Sequence, residues 1–375
     1  MWTPVVPWVA HHLFGITTVS PRWGGGETTW YYVQIATAAT LAALFAAVWT
    51  AVDRRRTDYR ELDRWLRVYL RLFLASVLFV YGWGKVFPVQ FPALGPERLS
   101  QTFGEASPNG FLWAFMGYSP AYMAFSGLGE VIAGVLLCFR RTVTLGALIG
   151  AAVMLNVVAL NFAFDVGVKL DSTFYLLALL YLAAPDARRL TNVLVLDRPT
   201  EPRPMIPVRS AWQHRLTVIV PAVLAGFFFV RSAQRGWDAL YERGHRAPLP
   251  ALYGLYDVDS VVRNGVARSL VPTDSTDWSR VAIGQRRSTV RLTSGALEFY
   301  TAGVDTTART VRFAPRDDGP AASTWAFERP DTNRLILRGR MGTDSVELVL
   351  RRVDHTRYRL VSHPFHWAHN TTENR

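Results

Sequence analysis

Ionisable side chains stand inside long apolar stretches of the first 235 residues, where such groups are costly and mark candidate functional sites. Glu130 lies near the middle of one such stretch, and Arg71, Tyr81 and Lys85 lie in another, 66–87. Two steps of seven residues separate Arg71 from Lys85, which places both cations on one helix face. A buried carboxylate can accept a proton, so Glu130 is the candidate catalytic residue.

A second polar group occurs in the apolar stretches that follow. Asn156 and Asn161 lie in 142–164, Asp165 comes one helical turn after Asn161, and Lys169 opens the next stretch. The predicted polar cavity within the membrane comprises seven residues: Arg71, Tyr81, Lys85, Asn156, Asn161, Asp165 and Lys169. Two interpretations stay open. Glu130 and a cation neutralise the interior of a helix bundle, or the group forms a cavity for a quinone headgroup, an anion or a proton path.

Helices that cross a membrane must position these residues. The runs 31–52 and 142–164 contain no charged residue over 22 and 23 residues, enough to span a hydrocarbon core of about 30 Å. Four further apolar stretches carry isolated polar groups: 66–87, 120–139, 168–184 and 212–232. We therefore predict an α-helical membrane bundle of about six transmembrane helices over 30–235.

The charge of the loops predicts an orientation for this bundle. The loops after the first, third and fifth predicted spans hold 14 arginines, whereas the opposite loops hold Arg22, Arg98 and two flanking lysines. The positive-inside rule places the arginine-rich loops in the cytoplasm. The N-terminal segment 1–29 and the C-terminal region are then both extracytoplasmic. Because the arginines flank membrane spans, the net charge of +12 does not indicate nucleic-acid binding.

The region 245–375 changes from long apolar runs to alternation of apolar and polar residues. Short alternating segments such as 345–352 and 334–339 are separated by turn residues. This pattern predicts an extracytoplasmic antiparallel β-barrel or sandwich. Its interior either holds a small apolar ligand or is filled by side chains, and the sequence does not choose between the two.

Composition excludes several kinds of redox and metal site. A single cysteine, Cys138, excludes a disulfide framework and an iron–sulfur cluster held by this chain. None of the eight histidines lies in the uncharged part of a predicted span, which excludes a bis-histidine haem in the bundle. His363, His366 and His369 have metal-ligand spacing, but Pro364 argues against a regular helix there. We predict no metal site and no intrinsic cofactor.

Residues 66–190 resemble the DoxX-like family of integral membrane proteins. The resemblance rests on Tyr81-Gly82-Trp83-Gly84-Lys85, Gly127-Leu128-Gly129-Glu130, Arg140-Arg141, the segment 154–170 and Ala184-Pro185-Asp186. It implies a four-helix core in a bacterial cytoplasmic (inner) membrane, here enlarged by further spans and the β-domain. The family is named after a subunit of a thiosulfate:quinone oxidoreductase, which implies a quinone ligand or a redox partner. The matching polar positions are Lys85, Glu130, Asn156, Asn161, Asp165 and Lys169.

Three functions are compatible with these observations. The first is a quinone-linked membrane oxidoreductase or its accessory subunit, with Glu130 as proton acceptor. The second is a non-enzymatic protein whose β-domain binds or transports a small molecule or lipid. The third is a membrane assembly factor that contacts a membrane protein partner through the aromatic loop 86–119. In each case the lipid bilayer is the surrounding partner.

Overall fold

A computed structural model of the chain describes residues 2–17, 19, 27–54, 56, 58–201, 219–268, 277–316 and 321–363. The chain divides into two compact units. The helical unit comprises Met1–Phe91 and Pro108–His245, and the β unit comprises Pro92–Ser107 and Arg246–Arg375. The short segment Pro92–Ser107 therefore leaves the helical part of the sequence to join the β unit.

Helices make up most of the first unit. In chain order, the helices of the described residues are α1 (Trp2–Phe14), α2 (Thr29–Val52), α3 (Arg60–Val86), α4 (Pro96–Leu99), α5 (Pro108–Tyr118), α6 (Pro120–Cys138), α7 (Val143–Ala163), α8 (Lys169–Ala183), α9 (Ala187–Leu194), α10 (Val220–Glu242) and α11 (Arg359–Ser362). Local chemistry explains the start of α6. Pro120 occupies its first turn, where the missing N–H is harmless, and Ser119 Oγ accepts the Tyr122 N–H at 3.2 Å.

Four helices of the described residues are long and apolar enough to cross a membrane: α2, α3, α6 and α7. They match four of the six predicted spans. The predicted span 168–184 corresponds to α8, whose 15 residues extend only about 22 Å at 1.5 Å per residue. The predicted span 212–232 lies partly outside the described residues, and α10 continues beyond it to Glu242. The count of six spans stays a prediction.

The core of the helical unit lies among α3, α6, α7 and α8. Its large buried apolar residues include Leu74, Leu78, Phe79, Leu137 and Leu179. Small residues such as Ala147 and Ala151 on α7 let the neighbouring helices approach closely. The helix α2, by contrast, has none of its most apolar 18 residues buried within the protein. Such a surface suits contact with lipid tails.

The β unit is a closed antiparallel barrel, as one of the two predicted forms. Its strands are β1 (Gly254–Arg263), β2 (Val266–Arg268), β3 (Trp278–Ile283), β4 (Ser288–Leu292), β5 (Leu297–Asp305), β6 (Thr310–Pro315), β7 (Ser323–Glu328), β8 (Arg334–Met341) and β9 (Asp344–Val353). Each strand from β3 to β9 pairs with its sequence neighbour, and β1 pairs with both β3 and β9 to close eight strands. The short β2 forms a hairpin with β1 through Asn264-Gly265, both at positive φ as a type I′ turn requires.

Aromatic side chains fill the barrel interior. Trp278, Tyr300, Phe313 and Trp325 are all buried, and the ring of Trp278 lies 5.0 Å from that of Trp325 and 5.3 Å from that of Phe313. Gly339 admits this packing, because a Cβ there would lie 2.6 Å from the Trp325 ring. Of the two alternatives left open by the sequence, the structure has the barrel filled by side chains.

Candidate functional site

Two glycines bring α3 and α6 into backbone contact. A Cβ on Gly127 would lie 2.5 Å from the carbonyl oxygen of Gly82 and 2.7 Å from Lys85 Cβ. A Cβ on Gly82 would lie 2.9 Å from the carbonyl oxygen of Gly127 and 2.7 Å from a methyl group of Val131. No larger residue fits at either position without a shift of the helices. This approach of small residues is typical of helix packing in membranes.

The close crossing buries an ion pair. Lys85 Nζ donates to Glu130 Oε1 at 2.6 Å, and the two side chains are only 7% and 1% exposed. The second carboxylate oxygen, Glu130 Oε2, is buried and has no hydrogen-bond partner among the described residues. A lysine ammonium has three donors and a carboxylate accepts several hydrogen bonds. The pair therefore retains both donor and acceptor capacity in an apolar surrounding.

Tyr81 links this pair to a second carboxylate. Its ring centroid lies 5.8 Å from Lys85 Nζ, and its hydroxyl interacts electrostatically with both Glu130 and Asp171. The hydroxyl of Tyr31 on α2 donates to Asp171 Oδ1. The Tyr81 hydroxyl on α3 is thus influenced by carboxylates on α6 and α8, and the Tyr31–Asp171 hydrogen bond connects α2 to α8. Such groups can hold a polar ligand or pass a proton between oxygens.

Asn161 and the Asp165–Lys169 pair form the connection from α7 to α8. The Asn161 amide is buried and donates to Ser172 Oγ at 3.0 Å. Lys169 Nζ donates to Asp165 Oδ1 at 2.6 Å, but the Asp165 side chain is 85% exposed. Asp165 also has a φ of +52°, a conformation that a turn requires. These predicted site residues stabilise the turn, and their contacts do not include Glu130.

Two other predicted residues lie apart from the pair. The Arg71 guanidinium donates to the carbonyl oxygens of Leu137 and Cys138, both at 3.0 Å. It thereby caps the last turn of α6, about 10 Å along the helix from Glu130. Asn156 is exposed on the surface of α7. Of the alternative cations proposed for Glu130, the structure selects Lys85 over Arg71.

Glu27 is not among the site residues predicted from the sequence, yet it connects three elements of the helical unit. Its carboxylate accepts the backbone N–H of Leu170, while the hydroxyl of Tyr32 donates to its other oxygen at 3.2 Å. The Glu27 N–H donates to the Gly167 carbonyl at 2.9 Å, so the start of α2 is fastened to the α7–α8 turn. Its place just before the first predicted span was the available signal. Within the described part of the chain, no three His, Cys, Asp or Glu residues are grouped to hold a metal ion.

Comparison with known proteins identifies a relative over part of the chain. Over 125 residues, which are 33% of this chain and 78% of the relative, the sequence is 41% identical to "Uncharacterized protein YwoB" of Bacillus subtilis (strain 168). No family model matches the chain, and no solved structure matches it significantly. Because the match has this identity and covers more than two thirds of the relative, the chain belongs to the same family as YwoB of Bacillus subtilis.

Proposed function

We propose that the protein binds a quinone headgroup at the Lys85–Glu130 pair and acts as a component of a quinone-linked membrane oxidoreductase. The observation that carries this proposal is Glu130 Oε2, a buried carboxylate oxygen without a partner among the described residues. A structural ion pair gains from satisfying every buried oxygen, because an unsatisfied one costs about 1–3 kcal/mol. A ligand hydroxyl would supply the missing donor. The resemblance to the DoxX-like family supports the choice of a quinone.

The residues present fit such a headgroup. Lys85 retains donors beyond the one that Glu130 Oε1 accepts, and they suit a carbonyl oxygen. Glu130 Oε2 suits a hydroxyl group as donor. Reduction converts the carbonyl oxygen of the quinone ring into such a hydroxyl. Tyr81 is 42% exposed on the surface of α3, so its ring marks a side on which a ligand from the bilayer can approach. The pair thus offers one donor and one acceptor for the two states of the same ring oxygen.

Bound there, a quinone would supply two-electron chemistry, taking up two electrons and two protons. Glu130 would give or take the proton at the ring oxygen, and Lys85 would hold the carboxylate in place. The electrons would come from a membrane protein partner, which is why an accessory subunit is the favoured form of the enzyme. Tyr81 would stabilise the exchange of a proton with Glu130, since its hydroxyl interacts electrostatically with that carboxylate.

The proposed location is the bacterial cytoplasmic membrane, with both termini and the barrel extracytoplasmic. The arginine-rich loops support this orientation. Single cysteines introduced by Ser323→Cys and Thr57→Cys, in a Cys138→Ser background, test it with a membrane-impermeant thiol reagent applied to whole cells. We expect labelling of the barrel position alone before lysis and of both positions after it. Labelling of both positions in intact cells would contradict the six-span orientation.

Ligand extraction tests the proposed function itself. The full chain is purified in mild detergent, extracted with organic solvent and analysed by mass spectrometry for quinones. We expect a near-stoichiometric quinone in the native protein and its loss in Glu130→Gln. Asp165→Asn is the matched control, because it also converts an acid to an amide but at an exposed position. Retention of the quinone in Glu130→Gln, or its absence from the native protein, would refute the proposal.

The remaining functions are outcomes of the same experiment. A stoichiometric lipid or metabolite in place of a quinone would favour a binding or transport protein. A co-purified protein with no small ligand would favour an assembly factor. The aromatic filling of the barrel interior supports the helical unit, rather than the centre of the barrel, as the place where a small molecule binds.

A further inference from the structure

Four arginines gather on the outer wall of the barrel. Arg286 and Arg287 end the turn between β3 and β4, Arg316 follows β6 directly, and Arg98 lies on the short helix α4 of the same unit. Arg286, Arg287 and Arg316 are exposed. These four side chains, called the arginine cluster below, come from three separate parts of the sequence, which the fold brings together.

Strand register fixes the spacing within the cluster. Ser288 on β4 pairs with Tyr300 on β5, and Tyr300 pairs in turn with Pro315 on β6. Arg287 and Arg316, which adjoin these paired residues, therefore flank the middle strand β5. They are separated by two strand spacings, about 10 Å, across the sheet and by two residues, about 7 Å, along it. Extended arginine side chains reach across such a distance toward one shared anion.

The segment with Arg98 is held against the same wall. Ser100 Oγ lies 3.5 Å from Thr289 Oγ1 on β4, and Arg291 on β4 donates to the Ser100 carbonyl oxygen at 3.0 Å. Arg98 itself is oriented by a hydrogen bond from its Nη1 to Gln101 Oε1 at 2.7 Å. The positive charge of Arg98 acts on Arg287, which lies directly before β4.

The cluster carries a net positive charge. Arg286, Arg287 and Arg316 have no hydrogen-bond or ion-pair partner for their side chains among the described residues. Elsewhere on the barrel, Arg291 pairs with Glu105 at 2.6 Å. Partial burial lowers the pKa of Arg287, and the positive charges of Arg316, Arg98 and Arg286 lower it further. These like charges repel one another, and Glu97 is the carboxylate that opposes them.

The nearby carboxylate, Glu97, compensates little of this charge. It is packed against Gly284, where an added Cβ would overlap Glu97 Oε2. Glu97 Oε2 is buried without a hydrogen-bond partner among the described residues. Burial raises the pKa of Glu97 to about 7, against the opposing effects of Arg98 and Arg287. Near neutral pH the carboxyl group is therefore only partly ionised.

An exposed aromatic ring lies within the cluster. Phe299 on β5 is adjacent to the inward-facing Tyr300, so it points outward, and it is 39% exposed. It stands on the strand between Arg287 and Arg316. Cations around an exposed apolar ring match a ligand that has both a phosphate and a hydrocarbon part. In the sequence, moreover, the α4 segment lies between α3 and α6, two helices of membrane-spanning length.

We propose that the arginine cluster binds the headgroup phosphate of an anionic phospholipid, with Phe299 against the glycerol and the first acyl carbons. The phosphate accepts hydrogen bonds from guanidinium groups in bidentate geometry, which a lysine cluster would not provide. The ring distinguishes this ligand from free phosphate, which has nothing to place against it. Binding at this position would anchor the wall of the barrel to lipid independently of any ligand of the helical unit.

Native mass spectrometry of the full chain, delipidated in detergent, tests this proposal. The protein is titrated with dioctanoyl phosphatidylglycerol, with dioctanoyl phosphatidylcholine and with inorganic phosphate. The variant Arg287→Gln/Arg316→Gln removes two charges from the cluster, and Arg312→Gln/Arg334→Gln removes two exposed arginines elsewhere on the barrel. We expect the first variant to bind phosphatidylglycerol at least about tenfold more weakly at its tightest site, since each basic residue contributes on the order of a fivefold factor. The control variant should bind as the native protein does.

Further measurements identify the binding site and distinguish a lipid phosphate from free phosphate. A photoactivatable phosphatidylglycerol, crosslinked and mapped by peptide sequencing, should label the peptide around Phe299 and lose that label in Arg287→Gln/Arg316→Gln. Arg287→Lys/Arg316→Lys keeps the charge and should restore part of the binding. Equal weakening by the control variant, equal binding of phosphatidylcholine, or competition by phosphate at the lipid's own concentration would overturn the proposal. Circular dichroism of each variant verifies that it is folded.

Discussion

Removing either partner of the buried ion pair should destabilise the helical unit far more than removing both. Lys85 Nζ and Glu130 Oε1 are 2.6 Å apart, and at an effective dielectric constant of about 20 their attraction is roughly 6 kcal/mol. Desolvation of both charges offsets much of this, so the pair contributes little net stability. Lys85→Met or Glu130→Leu alone, however, leaves one charge buried without a partner. We expect each single variant to lose about 3–5 kcal/mol of unfolding free energy.

The double variant Lys85→Met/Glu130→Leu should recover most of this loss, because apolar residues of similar size often replace a buried pair without penalty. The coupling energy of the cycle should then exceed about 2 kcal/mol. The assay is unfolding of the full chain in mixed micelles by increasing sodium dodecyl sulfate, followed by circular dichroism. The exposed pair Asp165–Lys169 is the matched control, with its carboxylate 85% exposed and an expected coupling below about 1 kcal/mol.

This reasoning would be refuted if the unfolding free energy of the double variant were as low as that of the less stable single variant. Such a result would mean that the two side chains contribute separately, for example through packing alone. A coupling energy no larger than that of the exposed pair would refute it as well, since burial is the reason for the difference. Loss of quinone from the stable double variant would then report on ligand binding without the confounding effect of unfolding.

Three further predictions concern packing and pH. Gly127→Ala should destabilise the protein by about 1–3 kcal/mol in the same unfolding assay, because its Cβ would meet backbone 2.5 Å away, whereas Gly84→Ala, with nothing within 4 Å, should not. Burial raises the pKa of Glu97 to about 7, so the stability contributed by its protonated form is fully present below its ordinary pKa and is lost as pH rises through 7. Glu97→Gln should therefore raise the melting temperature at pH 8 more than at pH 5. An equal effect at the two pH values would contradict this. The hydrogen bond from Arg291 is the main cause that lowers the pKa of Glu105 to about 2, so the stability it contributes is present above its ordinary pKa and is lost as pH falls toward 2. Arg291→Gln should therefore reduce the dependence of the melting temperature on pH over this acidic range. An unchanged pH dependence would contradict the assignment.

The barrel was predictable because its signal is local. Alternation along segments such as 345–352 identifies strands, and turn residues such as Gly342 separate them. Closure was not predictable, because the pairing of β1 with β9 joins residues almost a hundred positions apart. Whether the interior was hollow depended on the size of side chains that only this closure brings together. The choice of a barrel over a sandwich therefore required the structure.

The helical site was predictable in its residue types and less so in its grouping. Lys85 and Glu130 stood out because ionisable residues are rare in such stretches. Arg71 shares a face with Lys85, but the free carbonyl groups at the end of α6 bind it instead. The position of Asn156 could not be read from its neighbours. On a helix that is apolar both toward the core and toward lipid, no hydrophobic stripe marks the inward face.

The incomplete hydrogen bonding of Glu130 is the strongest argument that the pair does more than neutralise the bundle. Two apolar side chains of similar volume would pack between α3 and α6 at lower cost than a lysine and a glutamate. Glycine at positions 82 and 127 already gives the close approach that such packing needs. A pair kept only for structure should also have both carboxylate oxygens bonded, as the buried Asn161 amide is bonded to Ser172. Glu130 Oε2 instead carries the cost of burial without a donor among the described residues, and a ligand that supplies one would recover that free energy on binding.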